Sequence, residues 1–167
     1  MKFIYILLIL ILLGCSSKQQ TKSFELGSYS VFESYVSTTK IYNKQLCNGN
    51  LDYSGDIKFS RAQIERIVNE AQTINFFELP STITHPLAPM PFIQEDIERI
   101  DICAPCSTTA LYLKIGNKSH KVSWPCNCSN FNEPTPKILR KLVNTVNDSI
   151  KSSAAYIQAP ESFCRLR

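Results

Sequence analysis

The chain has 167 residues and a formal net charge of +4, with 44% hydrophobic and 19% charged residues. This composition is typical of a globular protein with a single core and excludes a disordered or low-complexity chain. The basic residues are scattered along the sequence, so no nucleic-acid partner is expected.

The first residues predict an export signal. Lys2 supplies a positive charge, and residues 3–13 form an uninterrupted apolar run. This run is too short to cross a bilayer core, which needs about 20 residues, but it matches the apolar part of a secretory signal.

The apolar run ends in Leu12-Leu13-Gly14-Cys15, which resembles the lipobox of bacterial lipoprotein precursors. The resemblance implies that residues 1–14 are a signal peptide cleaved after Gly14 and that Cys15 carries diacylglycerol and palmitate. It implies a lipid-anchored protein of the cell envelope, and Ser16 is compatible with the periplasmic face of the outer membrane. The alternatives are an ordinary signal followed by an incidental cysteine, and an uncleaved anchor helix.

Residues 15–27 predict a lipidated N-terminus and polar tether, and residues 28–167 predict one domain. Aromatic and β-branched residues favour strands over residues 29–36 and 38–42. Asn48-Gly49-Asn50 is typical of a turn, after which residues 51–58 could pair back as another strand.

A helix is predicted over residues 60–74. Ser60 and Gln63 form a capping box, and Phe59 can pack on Ile64 as a hydrophobic staple. The core-facing stripe has the 3.6-residue period of a helix and consists of Ile64, Ile67, Val68 and Ala71. Residues 75–80 then end the helix and anchor the chain in the core.

Residues 81–92 are rich in proline and lack periodicity, so they predict a loop. Its apolar residues are a candidate contact surface, namely Leu87, Met90, Pro91 and Phe92. A short strand is predicted over residues 97–102.

A β-hairpin is predicted from residues 107–115 and 119–124, joined by the Gly116-Asn117 turn. If Ile115 pairs with Lys118, the same register places Cys106 opposite Asn127. Four cysteines would then meet at the open end of the hairpin: Cys103, Cys106, Cys126 and Cys128.

Without Cys15, six of the 7 cysteines remain, and this even number favours three disulfides in an exported domain. Two would lie in the hairpin cluster, and Cys47 would bridge Cys164 in the simplest scheme. One alternative for the cluster is a zinc site. The other is a thiol-redox pair, because Cys103-Ala-Pro-Cys106 has the spacing of the thioredoxin active site.

A second helix is predicted from residue 135, with Thr135 as its cap and Pro136 at its first position. Its apolar stripe consists of Ile138, Leu139, Leu142, Val143 and Val146. The tail over residues 152–167 is predicted to be irregular. The fold class is therefore α+β, a small antiparallel sheet with two packed helices and disulfides, and it resembles uncharacterised domains of small bacterial lipoproteins.

The polar residues of the sequence form no pattern that is typical of an active site. His120 alternates with Val122 and Trp124, so a core or edge histidine with one hydrogen bond is expected, and Ser60 is a helix cap. His85 is expected to be solvated, as is the acidic run of Glu95, Asp96, Glu98 and Asp101. No metal or cofactor is expected.

The sequence thus predicts a non-enzymatic binding or structural module of the envelope, with an envelope protein or a cell-wall component as its partner. An inhibitor of a hydrolase is one form of such a module. The alternatives are a thiol-redox helper that uses Cys103 and Cys106, and a zinc-stabilised domain.

Overall fold

The computed structural model of the protein describes residues 23–49, 51–84, 108–125 and 134–164. In chain order the strands are β1 (Phe24–Tyr29), β2 (Glu33–Val36), β3 (Ile41–Lys44), β4 (Tyr53–Asp56), β5 (Thr109–Ile115) and β6 (Lys118–Trp124). The α-helices are α1 (Arg61–Thr73), α2 (Arg140–Lys151) and α3 (Ala154–Gln158), and a 3₁₀ turn spans Phe76–Glu78.

All six strands belong to one antiparallel sheet in the order β4-β3-β2-β1-β5-β6. The first four strands follow one another as a meander, and the β5–β6 hairpin pairs with the free edge of β1. This architecture confirms the predicted α+β fold with a small antiparallel sheet. None of the helices within the described ranges is long and apolar enough to cross a membrane.

The predicted boundary between tether and domain is wrong. Residues 24–27, assigned to the tether, form most of β1, which lies in the middle of the sheet. Phe24 and Leu26 point to the core and pair with Ile115 and Leu113 of β5. Phe24-Glu25-Leu26 alternates with the period of a strand, but the pattern is short and its partner β5 is about 90 residues away in the sequence.

The early strands are also shorter than predicted. The single strand predicted over residues 29–36 contains the last residue of β1, a turn and all of β2. The turn is closed by the Ser30 backbone N–H, which donates to the Glu33 carbonyl at 2.8 Å. Residues 37–40 form the β2–β3 turn, where Lys40 has a φ of 60°. The predicted strand over residues 51–58 is confirmed as β4, which pairs with β3.

One face of the sheet is covered by α1 and α2, and the core lies between these layers. The inward residues alternate along each strand as a period of two requires. Cross-strand pairs such as Leu26 with Leu113, and Tyr35 with Tyr42, therefore face the helices. The centre of the core also contains Ile67, Phe76, Val122, Leu139 and Leu142, all with no exposed surface.

Helix α1 begins as predicted. The Gln63 backbone N–H donates to Ser60 Oγ, and the Ser60 backbone N–H donates to Gln63 Oε1 at 2.8 Å, which completes the capping box. The helix ends at Thr73, after which Asn75 takes a left-handed φ of 50° and the chain places Phe76 in the core.

Helix α2 begins at Arg140, not at residue 135 as predicted. A turn precedes it, because the Leu139 backbone N–H donates to the Pro136 carbonyl. Ile138 lies in this turn and is 46% exposed, so it is not part of the buried stripe. The tail is not wholly irregular either, since α3 forms where Ser153 Oγ accepts from the Tyr156 backbone N–H.

Candidate functional site

A cleft of about 400 Å³ lies between the sheet and α2. It opens at the end of the sheet where β1 finishes with Tyr29, β5 begins with Thr109 and β6 finishes with Trp124. We call this the cleft end. We call the opposite end of the sheet the N-terminal end, because β1 begins there next to Ser23. The turns at residues 37–40 and 116–117 also lie at this end.

The cleft has an apolar floor and polar walls. Its floor is formed by the core residues Leu111, Trp124, Val146 and Ile150. Hydroxyl groups line it at Ser28, Ser30, Ser34, Thr109 and Thr135, and its other polar side chains include Glu33, Asn147 and Lys151. An apolar pocket with a few converging polar groups is the usual form of a small-molecule site.

A buried tyrosine hydroxyl without a partner distinguishes this cleft. Tyr42 is 1% exposed, and its hydroxyl forms no hydrogen bond of ordinary length and angle among the described residues, although the Glu33 carboxylate is close enough to act on it. A buried polar group that forms no hydrogen bond costs free energy, so native proteins rarely leave one unpaired. The Tyr42 hydroxyl has almost no accessible surface, so a molecule in the cleft can accept from it only if neighbouring side chains shift.

Glu33 supplies the negative charge beside this hydroxyl. Glu33 pairs with Lys44 and Tyr35 pairs with Tyr42, so the Glu33 and Tyr42 side chains are diagonal neighbours on the inner face. Burial raises the pKa of Tyr42 well above its usual value, and the Glu33 carboxylate raises it further through its charge and through side-chain hydrogen bonding. The same two causes, burial first, raise the pKa of Tyr156.

The tyrosines of the cleft stay protonated at neutral pH. Burial, with a smaller contribution from the charge of Asp56, raises the pKa of Tyr35 to about 12, and its hydroxyl donates to the Ile57 carbonyl at 3.2 Å. A phenol with a raised pKa is a hydrogen-bond donor and a poor general base. The chemistry of this cleft therefore suits binding through hydrogen bonds, the Glu33 carboxylate and the Lys151 ammonium.

His120 has the structural role expected from the sequence. Its Nε2 donates to the Leu79 carbonyl at 2.8 Å, and its ring lies edge-on to Phe76 with centroids 5.7 Å apart. Within the described ranges there is no group of three His, Cys, Asp or Glu residues placed to hold a metal ion.

The predicted Cys47–Cys164 disulfide is present, with Cα atoms 5.0 Å apart. It ties the C-terminal tail to the loop after β3 at the cleft end. Backbone and side-chain contacts support it, since the Phe163 N–H donates to the Leu46 carbonyl and Ser162 Oγ donates to the Gln45 carbonyl.

The predicted hairpin register is confirmed from Ile115 with Lys118 to Thr109 with Trp124. The four cysteines of the predicted cluster, Cys103, Cys106, Cys126 and Cys128, lie outside the described residues. So do Cys15, His85, the acidic run over residues 95–101, the strand over residues 97–102 and the candidate contact surface at Leu87, Met90, Pro91 and Phe92. Disulfides, zinc and a redox pair stay alternative predictions for the cluster.

The sequence did not predict the cleft. Glu33 and Tyr42 were each placed in a predicted strand, but no pairing between these two strands was predicted, so their shared face was not recognised. Asn147 follows the buried Val146 on α2 and lines the cleft. The predicted apolar stripe of this helix did not include it.

Comparison of the chain with known protein families, with curated proteins and with solved structures finds no match.

Proposed function

We propose that the protein is a lipid-anchored, non-enzymatic module of the bacterial cell envelope that binds a cell-wall fragment in the cleft. The observation that carries the proposal is the hydroxyl of Tyr42, which is buried beside the Glu33 carboxylate at the cleft and forms no hydrogen bond of ordinary geometry among the described residues. A ligand that accepts from Tyr42 would remove the cost of this unpaired group.

Cell-wall fragments offer the groups that such a cleft can recognise. Their sugar hydroxyls and amides can pair with the serine and threonine hydroxyls and with the Asn147 amide, and a stem-peptide amine can pair with Glu33. The apolar floor at Trp124 and Val146 suits the less polar faces of the sugar rings. A volume of about 400 Å³ is within the range of small-ligand pockets.

The lipid anchor is supported by the Leu12-Leu13-Gly14-Cys15 pattern and by the even number of cysteines that remain without Cys15. A chain acylated more than once is held stably at a membrane, whereas a single acyl chain binds reversibly. We infer that the anchor holds the protein at the periplasmic face of the outer membrane, because Ser16 after the lipidated cysteine is compatible with sorting to that membrane.

The intact mass of the mature protein tests the anchor and the cysteine alternatives together. An acylated N-terminal Cys15 is expected, and any other mature N-terminus refutes the anchor. Three disulfides predict six alkylations that occur only after reduction. A zinc site predicts that Cys103, Cys106, Cys126 and Cys128 react after chelation and unfolding, and a redox pair predicts two readily titrated thiols.

The fluorescence of Trp124 tests the cleft, because it is the single tryptophan of the chain and lines this site. Titration with a soluble disaccharide-tetrapeptide of peptidoglycan should change this fluorescence saturably. Asn147→Phe fills the cleft and should abolish the change. Asn144→Phe is the matched control, because Asn144 is exposed on the same helix. An unchanged spectrum with this fragment, or equal loss in both variants, refutes cell-wall binding in the cleft.

A further inference from the structure

The chain enters the domain at the N-terminal end of the sheet. Ser23 is held there, because its carbonyl accepts from the Gly116 backbone N–H at 2.8 Å and its Oγ donates to the Gly116 carbonyl at 3.2 Å. Nine residue steps separate Cys15 from Phe24. At about 3.5 Å per residue, this segment reaches at most roughly 30 Å. A lipid on Cys15 therefore keeps this end of the sheet close to the bilayer.

Two exposed lysines lie at this end. Lys40 belongs to the β2–β3 turn and Lys118 begins β6 beside the Gly116-Asn117 turn. Neither forms an ion pair with another residue in the described part of the chain. Lys40 directly precedes β3, and four strand spacings of about 4.8 Å separate β3 from β6, so the lysines are spaced by roughly 19 Å along this end.

The other charges at this end are largely balanced. Lys58 Nζ lies 3.7 Å from Asp56 Oδ2, and Lys114 Nζ lies 2.6 Å from Glu25 Oε1. The excess positive charge therefore belongs to Lys40 and Lys118. The sequence between Cys15 and β1 adds two more lysines, Lys18 and Lys22, and no acidic residue.

Acidic side chains lie at the cleft end. Glu33 lines the cleft, and Asp52 Oδ1 accepts from the Leu46 backbone N–H in the loop after β3. Glu161 precedes Ser162, which bonds to that same loop. Two lysines also lie at the cleft end, namely Lys44, which pairs with Glu33, and Lys151, which lines the cleft. The three acidic side chains still outnumber them, so an anionic surface would attract the N-terminal end of the sheet more strongly than the cleft end.

We propose that the N-terminal end of the sheet rests on anionic phospholipid headgroups, with Lys40 and Lys118 as the contact residues, so that the cleft faces away from the bilayer. The proposal rests on the proposed function for its anchor at Cys15. The occupant is a lipid surface, because the tether ends at this face and the charges are complementary. Attraction to such a surface is strong only within about one Debye length, roughly 10 Å at 0.1 M salt.

Vesicle sedimentation tests this surface without the anchor. The mature chain with Cys15→Ser is mixed at low salt with vesicles of phosphatidylglycerol and phosphatidylcholine, or of phosphatidylcholine alone. Binding is expected only to the anionic vesicles and should fall as salt is added. Each lysine near an anionic surface contributes about fivefold to partitioning, so Lys40→Gln with Lys118→Gln should lower it about 25-fold.

The matched control carries Lys121→Gln and Lys137→Gln, which remove the same charge at two exposed positions away from this end. This control should bind nearly as the parent does. Equal losses in the two double variants would show a response to net charge alone and would overturn the proposal. So would equal binding to both kinds of vesicle, or no binding to the anionic vesicles.

Orientation is then measured on the acylated protein in vesicles that contain brominated phosphatidylglycerol. Tryptophan is introduced at the N-terminal end by Asn117→Trp and at the cleft end by Leu51→Trp, where Leu51 is 92% exposed. Strong quenching at position 117 and weak quenching at position 51 are expected, and the reverse or equal quenching overturns the orientation. If Cys15 proves to carry no lipid, the anchor fails while the sedimentation assay still decides the lysine surface.

Discussion

Opening the Cys47–Cys164 disulfide should destabilise the domain strongly. The bridge closes a loop with a sequence separation of 117 residues. For a loop of this length the chain-entropy relation gives about 16 cal/mol/K, or about 4.9 kcal/mol at 25 °C. Further bridges inside the loop would shorten it, but the entropy depends only on the logarithm of the length, so they change this value little.

The native contacts around the bridge should survive its removal. The Phe163 N–H to Leu46 carbonyl bond and the Ser162 Oγ to Gln45 carbonyl bond do not need the sulfur atoms. Most of the loss therefore comes from the greater freedom of the unfolded chain. We expect Cys47→Ser with Cys164→Ser to lower the free energy of unfolding by about 5 kcal/mol and the Tm by about 10 to 20 °C.

Urea denaturation of the oxidised mature protein measures this loss. Each single variant opens the same bridge, so after its free thiol is alkylated each should lose about as much as the double variant. A loss below about 1 kcal/mol, with an unchanged m-value, would show that the bridge does not limit the unfolded chain and would refute the reasoning.

Three smaller perturbations test the capping box, a buried phenol and the core. Ser60→Ala should cost about 1 kcal/mol in urea denaturation, while Ser54→Ala, on an exposed strand position, should cost almost nothing. Because the pKa of Tyr35 is about 12 when folded and about 10 when unfolded, its contribution to stability is complete below pH 10 and is lost as pH rises to 12. Tyr35→Phe should reduce the alkaline loss by up to about 2.7 kcal/mol, and an equal loss in both proteins between pH 9 and 12 would contradict this. Leu113→Ala removes a fully buried side chain and should cost about 3 kcal/mol, which thermal and urea unfolding should report alike.

Features with local signals were predicted well. The capping box of α1 depends on Ser60 and Gln63, three residues apart, and the hairpin register follows from the two-residue turn at Gly116-Asn117. In both cases the residues that determine the geometry are close together in the sequence. The Cys47–Cys164 pairing was reached by elimination from the cysteine count and the hairpin.

Features set by distant contacts were not predicted. β1 is a strand because Leu26 meets Leu113 and Glu25 meets the Lys114 ammonium, contacts that join opposite halves of the chain. The start of α2 was misplaced because a proline at the first helical position and a proline in the preceding turn give the same local signal. The cleft combines residues of β1, β2, β3, β5, β6 and α2, so it exists only once the sheet order is known.

The corrected start of β1 changes how far the cleft can lie from a membrane. A tether that ended at residue 27 would reach roughly 45 Å from Cys15, whereas one that ends before Phe24 reaches roughly 30 Å. The seven residues of β5 add about 23 Å between the two ends of the sheet. If Cys15 carries lipid, the cleft end lies between about 23 Å and 53 Å from the bilayer surface when the cleft faces outward. If Lys40 and Lys118 contact the headgroups, the distance from the bilayer to the cleft end is in the lower part of that range. A ligand fixed further from the bilayer could then be bound only if these lysines left the headgroups.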